Sequence, residues 1–265
     1  MRIAWMNDIH LEFLDQRSLK EFLDEIRGAR VDGALVGGDI GQAHSVCGYL
    51  KQMEEIVQCP IYFVLGNHDF YHGSIEQVRS SVGKLVNSQG FIRWLNTAGV
   101  VRLTDRTCLV GHDGWGDGRL GDFFGSNVQL NDFVLIEELS GLPRDGLLAR
   151  LHSFGEEAAK HFRNFIPQAL GLCDHVVVLT HVPPFTEAAW YDGRLCDDDW
   201  LPFFCCKAVG DVLKEVMSRH KDKHMTVLCG HTHGGGTSHI LTNLVTYTGP
   251  ALYRHPKIQR VFQWD

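Results

Sequence analysis

The chain is short of several things that would fix its class at once. No apolar run approaches the ~18 residues that a membrane span needs, which excludes a helical membrane protein. The eight cysteines contain no Cys-x-x-Cys pair, so neither a zinc-cysteine site nor a disulfide framework is indicated, and a reducing compartment fits their places within apolar patterns. Lysine and arginine never cluster into a run. With 25 basic against 32 acidic residues and a net charge of −7, nonspecific nucleic-acid binding is not expected. No fixed-period repeat, low-complexity segment or linker divides the 265 residues, which are expected to form one domain. The segment Met1-Arg2-Ile3-Ala4-Trp5 enters a strand pattern without the apolar core of a signal peptide, and the cytoplasm is the expected location.

Histidine, in contrast, is abundant. There are fifteen, several of them just after apolar runs. Phe63-Val64-Leu65 is one such run, closed by Gly66-Asn67-His68-Asp69. An extended apolar stretch ending in glycine reads as a buried strand that turns outward, and ligands collect at such carboxyl ends in open α/β sheets. Four other strand patterns end in the same way. Arg2 to Met6 leads to Asp8 and His10; Val31 to Val36 leads to Gly37-Gly38-Asp39; Val176 to Leu179 leads to His181 and two prolines; Met225 to Cys229 leads to Gly230, His231 and His233. In extended geometry the pairs Asp8/His10 and His231/His233 each point to one face.

Between these strands lie amphipathic helix patterns: Gln16 to Arg27, Ala43 to Val57, Ser74 to Val86, Gly146 to Leu170 and Lys207 to Arg219. Strand and helix alternate at first, which predicts right-handed crossovers and a largely parallel sheet. Short strand-like runs follow at Phe91 to Leu95, Val100 to Leu103 and Thr107 to Val110, and the tail from Ser238 onward reads as antiparallel strands. Two stretches, 112–130 and 183–204, read as lid-like insertions. Within or beside them His112, Arg119, Arg194, Trp115, Trp190 and Tyr191 are candidates for the border of a site, Arg119 and Arg194 as grips on a phosphate and the aromatics as stacking surfaces.

Two aspartates, an asparagine and four or five histidines are too many donors for one four-coordinate zinc. They suit two divalent ions with mixed nitrogen and oxygen ligands, the arrangement that serves phosphoryl displacement. Imidazole with carboxylate favours manganese, iron or zinc, with magnesium or nickel as alternatives.

The ordered set Asp8-x-His10, Gly38-Asp39, Gly66-Asn67-His68-Asp69, His181 and Gly230-His231-x-His233 resembles the motifs of the calcineurin-like metallophosphoesterases. It is closer to their bacterial phosphodiesterase-like members than to the protein phosphatases. The resemblance implies an α/β fold: a four-layer β-sandwich of two mixed sheets flanked by helices. It implies that Asp8, His10 and His233 ligate one metal, that Asn67, His181 and His231 ligate the other, and that Asp39 bridges them. It also makes a metal-activated water or hydroxide the nucleophile and His68 the group that assists the leaving oxygen, with Asp69 placed to orient the His68 ring. The implied substrate is a small phosphorylated compound, a nucleotide among the candidates, cleaved as a diester or a monoester. A non-catalytic scaffold of the same fold and a nuclease of the same superfamily are the alternatives. Oligomeric state is left open by the sequence.

Overall fold

A computed structural model describes residues 1–88 and 90–265. The chain begins with β1 (Arg2–Met6), β2 (Gly33–Gly37), β3 (Ile61–Val64) and β4 (Ile92–Trp94), separated by helices α1 (Gln16–Gly28), α2 (Val46–Val57) and α3 (Ile75–Ser88). Asp15 caps α1 by accepting the Ser18 amide at 2.7 Å, a contact that typically stabilises a helix by ~1 kcal/mol. A one-turn α4 (Leu95–Ala98) leads to β5 (Val101–Arg102) and β6 (Thr107–His112); α5 (Asp132–Leu135) and the long α6 (Arg144–Leu172) then lead to β7 (His175–Thr180). The hairpin β8 (Trp190–Tyr191) and β9 (Arg194–Leu195) is followed by α7 (Leu201–Phe204), α8 (Lys207–Arg219), β10 (His224–Cys229), β11 (Gly236–Leu241), β12 (Leu244–Thr248) and β13 (Arg260–Gln263).

Two mixed sheets result. One has the order β13-β1-β2-β3-β4, with only β13 antiparallel to its neighbour; the other has the order β11-β12-β10-β7-β6-β5, with antiparallel strands at both edges. The tail is therefore not antiparallel throughout, because β12 returns parallel to β10 after the hairpin with β11.

Strand alternation builds the layers. Ile3, Trp5, Leu35 and Val64 from the first sheet meet Leu109, Val177, Leu179 and Leu228 from the second. The alternate residues Ala4, Met6, Val36 and Phe63 pack under α1, α2 and α3, while Val110, Val176, Val178 and Val227 pack under α6 and α8. Helix, sheet, sheet and helix make the four layers, and central strands buried on both faces explain why their sequences are continuous apolar runs rather than alternating ones.

One expectation fails in this core. Cys108 on β6 and Cys173 at the end of α6 are disulfide-bonded, with Cα atoms 5.9 Å apart. They are 65 residues apart in sequence, and only the packing of α6 on β6 brings them together. The other six cysteines are free. Among the described residues no helix is long and apolar enough to cross a membrane.

Candidate metal centre

Five strands deliver the candidate ligands from their carboxyl ends: β1, β2 and β3 from one sheet, β7 and β10 from the other. Backbone hydrogen bonds continue past the strands and bind these loops to each other. Asp8 N–H donates to Gly38 O, His10 N–H to Asp39 O, and Gly230 N–H to His181 O. Asp8, His10, Asp39, His231 and His233 all have φ between 42° and 68°. The pairs two residues apart therefore converge through left-handed turns rather than through extended chain. Non-glycine residues rarely adopt this region, and backbone strain concentrates at functional sites. Gly38 (φ 90°) and Gly66 are required by close approach, since a Cβ at Gly38 would press on His181 and one at Gly66 on Asp39.

Two clusters of donor atoms result. In the first, His10 Nε2 lies 3.2 Å from His233 Nε2, and His233 Nε2 lies 3.9 Å from Asp8 Oδ1. Asp8, His10, Asp39 and His233 each place a donor atom within 4.8 Å of the others. In the second, Asn67 Oδ1 is 3.0 Å from both His181 Nε2 and His231 Nδ1, and those two nitrogens are 3.2 Å apart. Asp39 faces both: Oδ2 is 3.7 Å from His10 Nε2, and Oδ1 is 3.5 Å from His181 Nε2.

Hydrogen bonds on the outer side settle which atoms face inward. His181 Nδ1 lies 2.8 Å from Gly37 O and His231 Nε2 lies 3.2 Å from Phe203 O. A carbonyl only accepts, so each ring donates there, and as a neutral ring turns a lone pair toward Asn67 Oδ1. The Asn67 amide nitrogen donates to Asp132 Oδ1 at 2.8 Å and to the Tyr71 hydroxyl at 3.1 Å, which leaves its oxygen for the cluster. With both rings neutral, three acceptor atoms crowd to 3.0–3.2 Å, an arrangement that a cation between them relieves. The donor set fits metal ions.

The family model for calcineurin-like phosphoesterases matches residues 1–235. The chain belongs to that family. Its general chemistry is accordingly metal-dependent hydrolysis of phosphate esters. Two solved structures share the fold. A phosphopantetheinyl hydrolase of Mycobacterium tuberculosis superposes with a TM-score of 0.71 at 12% identity, over 99% of this chain and 96% of that one. A dimetal phosphatase of Danio rerio gives 0.61 at 14% identity, over 97% and 89%. No curated protein matches the sequence at a significant level.

For a phosphoesterase, the charge balance inside the site is notable. Burial alone would raise Asp39, but the imidazoles of His181, His68 and His10 hold its carboxyl well below the usual range. Burial opposes the charge of His68, yet the carboxylates of Asp39, Glu12 and Asp132 outweigh it and lift the ring to about 9. Burial and the neighbouring His181 bring His231 down to about 3, a ring that stays neutral and free to ligate.

One sequence expectation about the opening motif needs correction. His68–Phe70 form one turn of 3-10 helix, and Asp69 does not orient the His68 ring. Its carboxylate accepts the backbone amides of Ile40, Gly41 and Gly66 at 2.8–2.9 Å and thereby ties the β2 and β3 loops together. Burial beside the charge of Asp39 pushes Asp69 up to about 8, against the pull of those amides. The His68 ring instead stacks on Tyr71 at 4.2 Å and meets the edge of His10 at 4.6 Å, with Glu12 Oε1 3.9 Å from its Nδ1.

The lid candidates divide. Tyr191 reaches the cavity over the metal centre, together with Trp200 and Phe204. His112 is buried beside Glu157 and His161, and Trp115 packs between Phe70 and Phe154. Arg119 pairs with Asp117 and Glu156, Arg194 is exposed near Asp197, and Trp190 points at Ser238. Sequence reading overlooked Glu12, Tyr71, Asp132 and Tyr253. The spacing Asp8-x-His10-x-Glu12 carried a signal for the first; the others lie in segments without a motif.

Proposed function

We propose that this phosphoesterase is binuclear, with Asp8, His10 and His233 holding one divalent ion, Asn67, His181 and His231 a second, and Asp39 shared between them. The support is the position of Asp39, whose two oxygens face the two clusters separately. A carboxylate suits that place because it brings a negative charge and two donors to a pair of cations. Bound there, the ions neutralise phosphate charge and make water available as a nucleophile near neutral pH. The ligand set favours manganese, iron or zinc.

The chain's own residues supply the rest. Asp39 Oδ1 also accepts the His68 amide at 2.9 Å and so fixes that residue relative to the ligands. The His68 ring lines the cavity without belonging to either ligand set, as a donor of a proton to the leaving oxygen must. The 265 residues act as one domain, with 112–130 and 183–204 as its covering loops. Elemental analysis of protein purified with added manganese, iron or zinc tests the reading. Two ions per chain are expected, together with chelator-sensitive hydrolysis of bis(p-nitrophenyl) phosphate. Asp39→Asn should lower occupancy at both positions; full retention of two ions in that variant would remove Asp39 from the shared role.

A further inference from the structure

Histidine and asparagine are ambident ligands. A neutral imidazole donates at one nitrogen and accepts at the other, and a carboxamide donates through nitrogen and accepts through oxygen. Only the accepting end can hold a cation, so a neighbour that accepts but cannot donate has to turn that end inward. For His181 and His231 the neighbours are the backbone carbonyls of Gly37 and Phe203. For His10 and Asn67 they are side chains, and both are carboxylates.

Glu12 Oε1 lies 3.3 Å from His10 Nδ1, while the other ring nitrogen, Nε2, faces His233 and Asp39. The local fold makes this contact: the chain turns at His10, with φ 42°, into the single 3-10 turn Leu11–Phe13, and Glu12 comes back beside the ring. Asp132, the first residue of α5, lies 65 residues from Asn67 in sequence. Its Oδ1 accepts the Asn67 amide nitrogen at 2.8 Å and the Tyr71 hydroxyl at 2.7 Å. The Glu12 side chain is 10% exposed and Asp132 1%. Among the described residues neither pairs with a lysine or arginine, and Glu12 meets only the rings of His10 and His68. Burying carboxylates without a cation is costly. Divalent ions held beside them would supply the missing positive charge.

We infer that Glu12 and Asp132 are positioning residues, one for each ion. Glu12 turns the lone pair of His10 toward the first cluster, and Asp132 turns the carbonyl oxygen of Asn67 toward the second. A carboxylate cannot donate, so Glu12 admits only the His10 tautomer with hydrogen on Nδ1, and Asp132 only the Asn67 orientation with oxygen inward. The inference rests on the binuclear reading above. Neither residue belongs to the proposed ligand sets, and each acts through a different ligand. The two ions are therefore controlled separately.

Calorimetric titration of metal-free full-length protein with manganese(II) tests this. The wild type should take up two ions. Glu12→Gln and Asp132→Asn keep the size of the side chain but present an NH2, which draws the donor atom of the ligand outward. Each should weaken one ion about tenfold and leave the other within about twofold. Ligand variants assign which ion is affected. In His233→Ala, which keeps the second ion, Asp132→Asn should weaken binding and Glu12→Gln should not; in His181→Ala the pattern should reverse. Electron paramagnetic resonance of the two amide variants gives a second readout. At limiting manganese each should show the six-line spectrum of an isolated ion where the wild type shows a coupled pair. Tyr71→Phe removes another contact of Asn67 but leaves Asp132 in place, and it should retain both ions. Wild-type affinities in both amide variants, or equal weakening of both ions by either one, would overturn the inference. A third ion that Glu12→Gln removes would make Glu12 a ligand and overturn its positioning role. Fewer than two ions in the wild type would instead overturn the binuclear reading on which the pairing depends.

Discussion

Asp113 joins His181 to the end of β3. Its backbone carbonyl accepts the His181 amide at 3.0 Å, while its carboxylate accepts the Leu65 amide at 2.7 Å, Trp94 Nε1 at 3.0 Å and Asn96 Nδ2 at 2.8 Å. Two candidate ligands of the same cluster, Asn67 and His181, are thus held by one fully buried residue outside the proposed ligand sets. Asp113→Asn would turn an amide NH2 toward N–H donors. We expect a loss of ~2–4 kcal/mol in urea unfolding and fewer metal ions per chain. Wild-type stability in that variant would show that the carboxylate is dispensable to the scaffold.

His68→Ala removes a ring that ligates neither cluster in the proposed assignment. The variant should keep its metal content by elemental analysis and lose roughly 10²–10⁴-fold in turnover of alkyl phosphodiesters. The loss should be much smaller with p-nitrophenyl esters, whose leaving oxygen needs little protonation. Equal losses on both classes would assign His68 to holding the site together.

Acid should weaken the fold through buried histidines remote from the metal centre. Burial, aided by the charge of His224, brings His175 down to about 4, and burial with His112 does the same to His161. The unfolded chain binds these protons below about 6.5 and the folded chain does not. Stability should therefore be flat above pH 6.5, fall as pH drops toward 4, and lose at most ~1.4 kcal/mol per pH unit for each group. His175→Gln keeps a polar partner for Thr226, which the histidine meets at 2.9 Å. Its urea midpoint should decline less steeply between pH 6.5 and 4 than that of the wild type.

The Cys108–Cys173 bond gives a count and a stability change. In denaturant without reductant, six thiols should react, and eight after reduction. Closing 65 residues of chain constrains the unfolded state, and loss of such a link typically costs ~2–4 kcal/mol. Eight reactive thiols before reduction would show the pair to be unlinked.

Much of the fold was legible because its central strands are short apolar runs closed by glycine, as in Leu35-Val36-Gly37-Gly38 and Val64-Leu65-Gly66. The residues after those glycines had nowhere to go except the strand ends, so the cluster could be anticipated without coordinates. Direction within a turn was not legible. Asp69 follows His68 in sequence, but successive side chains of a 3-10 turn diverge by about 120°, and Asp69 points to the amides of the neighbouring loop. Arg119 looked free to hold a phosphate because nothing local showed that α6 would bring Glu156 to it. Glu12, Asp132 and Tyr253 come from three separate segments, and their meeting around His68 is a product of tertiary packing.

The final strand has a consequence for where the protein can be cut. β13 covers the outer edge of β1, the strand that delivers Asp8 and His10, and Tyr253 stands over His10 and His233 at 4.6 and 4.9 Å. Both lie beyond residue 235, where the family match ends. A truncated chain stopping there would contain every candidate ligand, yet it would expose the backbone of β1 as a sticky edge and open the centre to bulk water. The packed structure thus extends past the last candidate ligand, and residues 236–265 are a clasp rather than a tail.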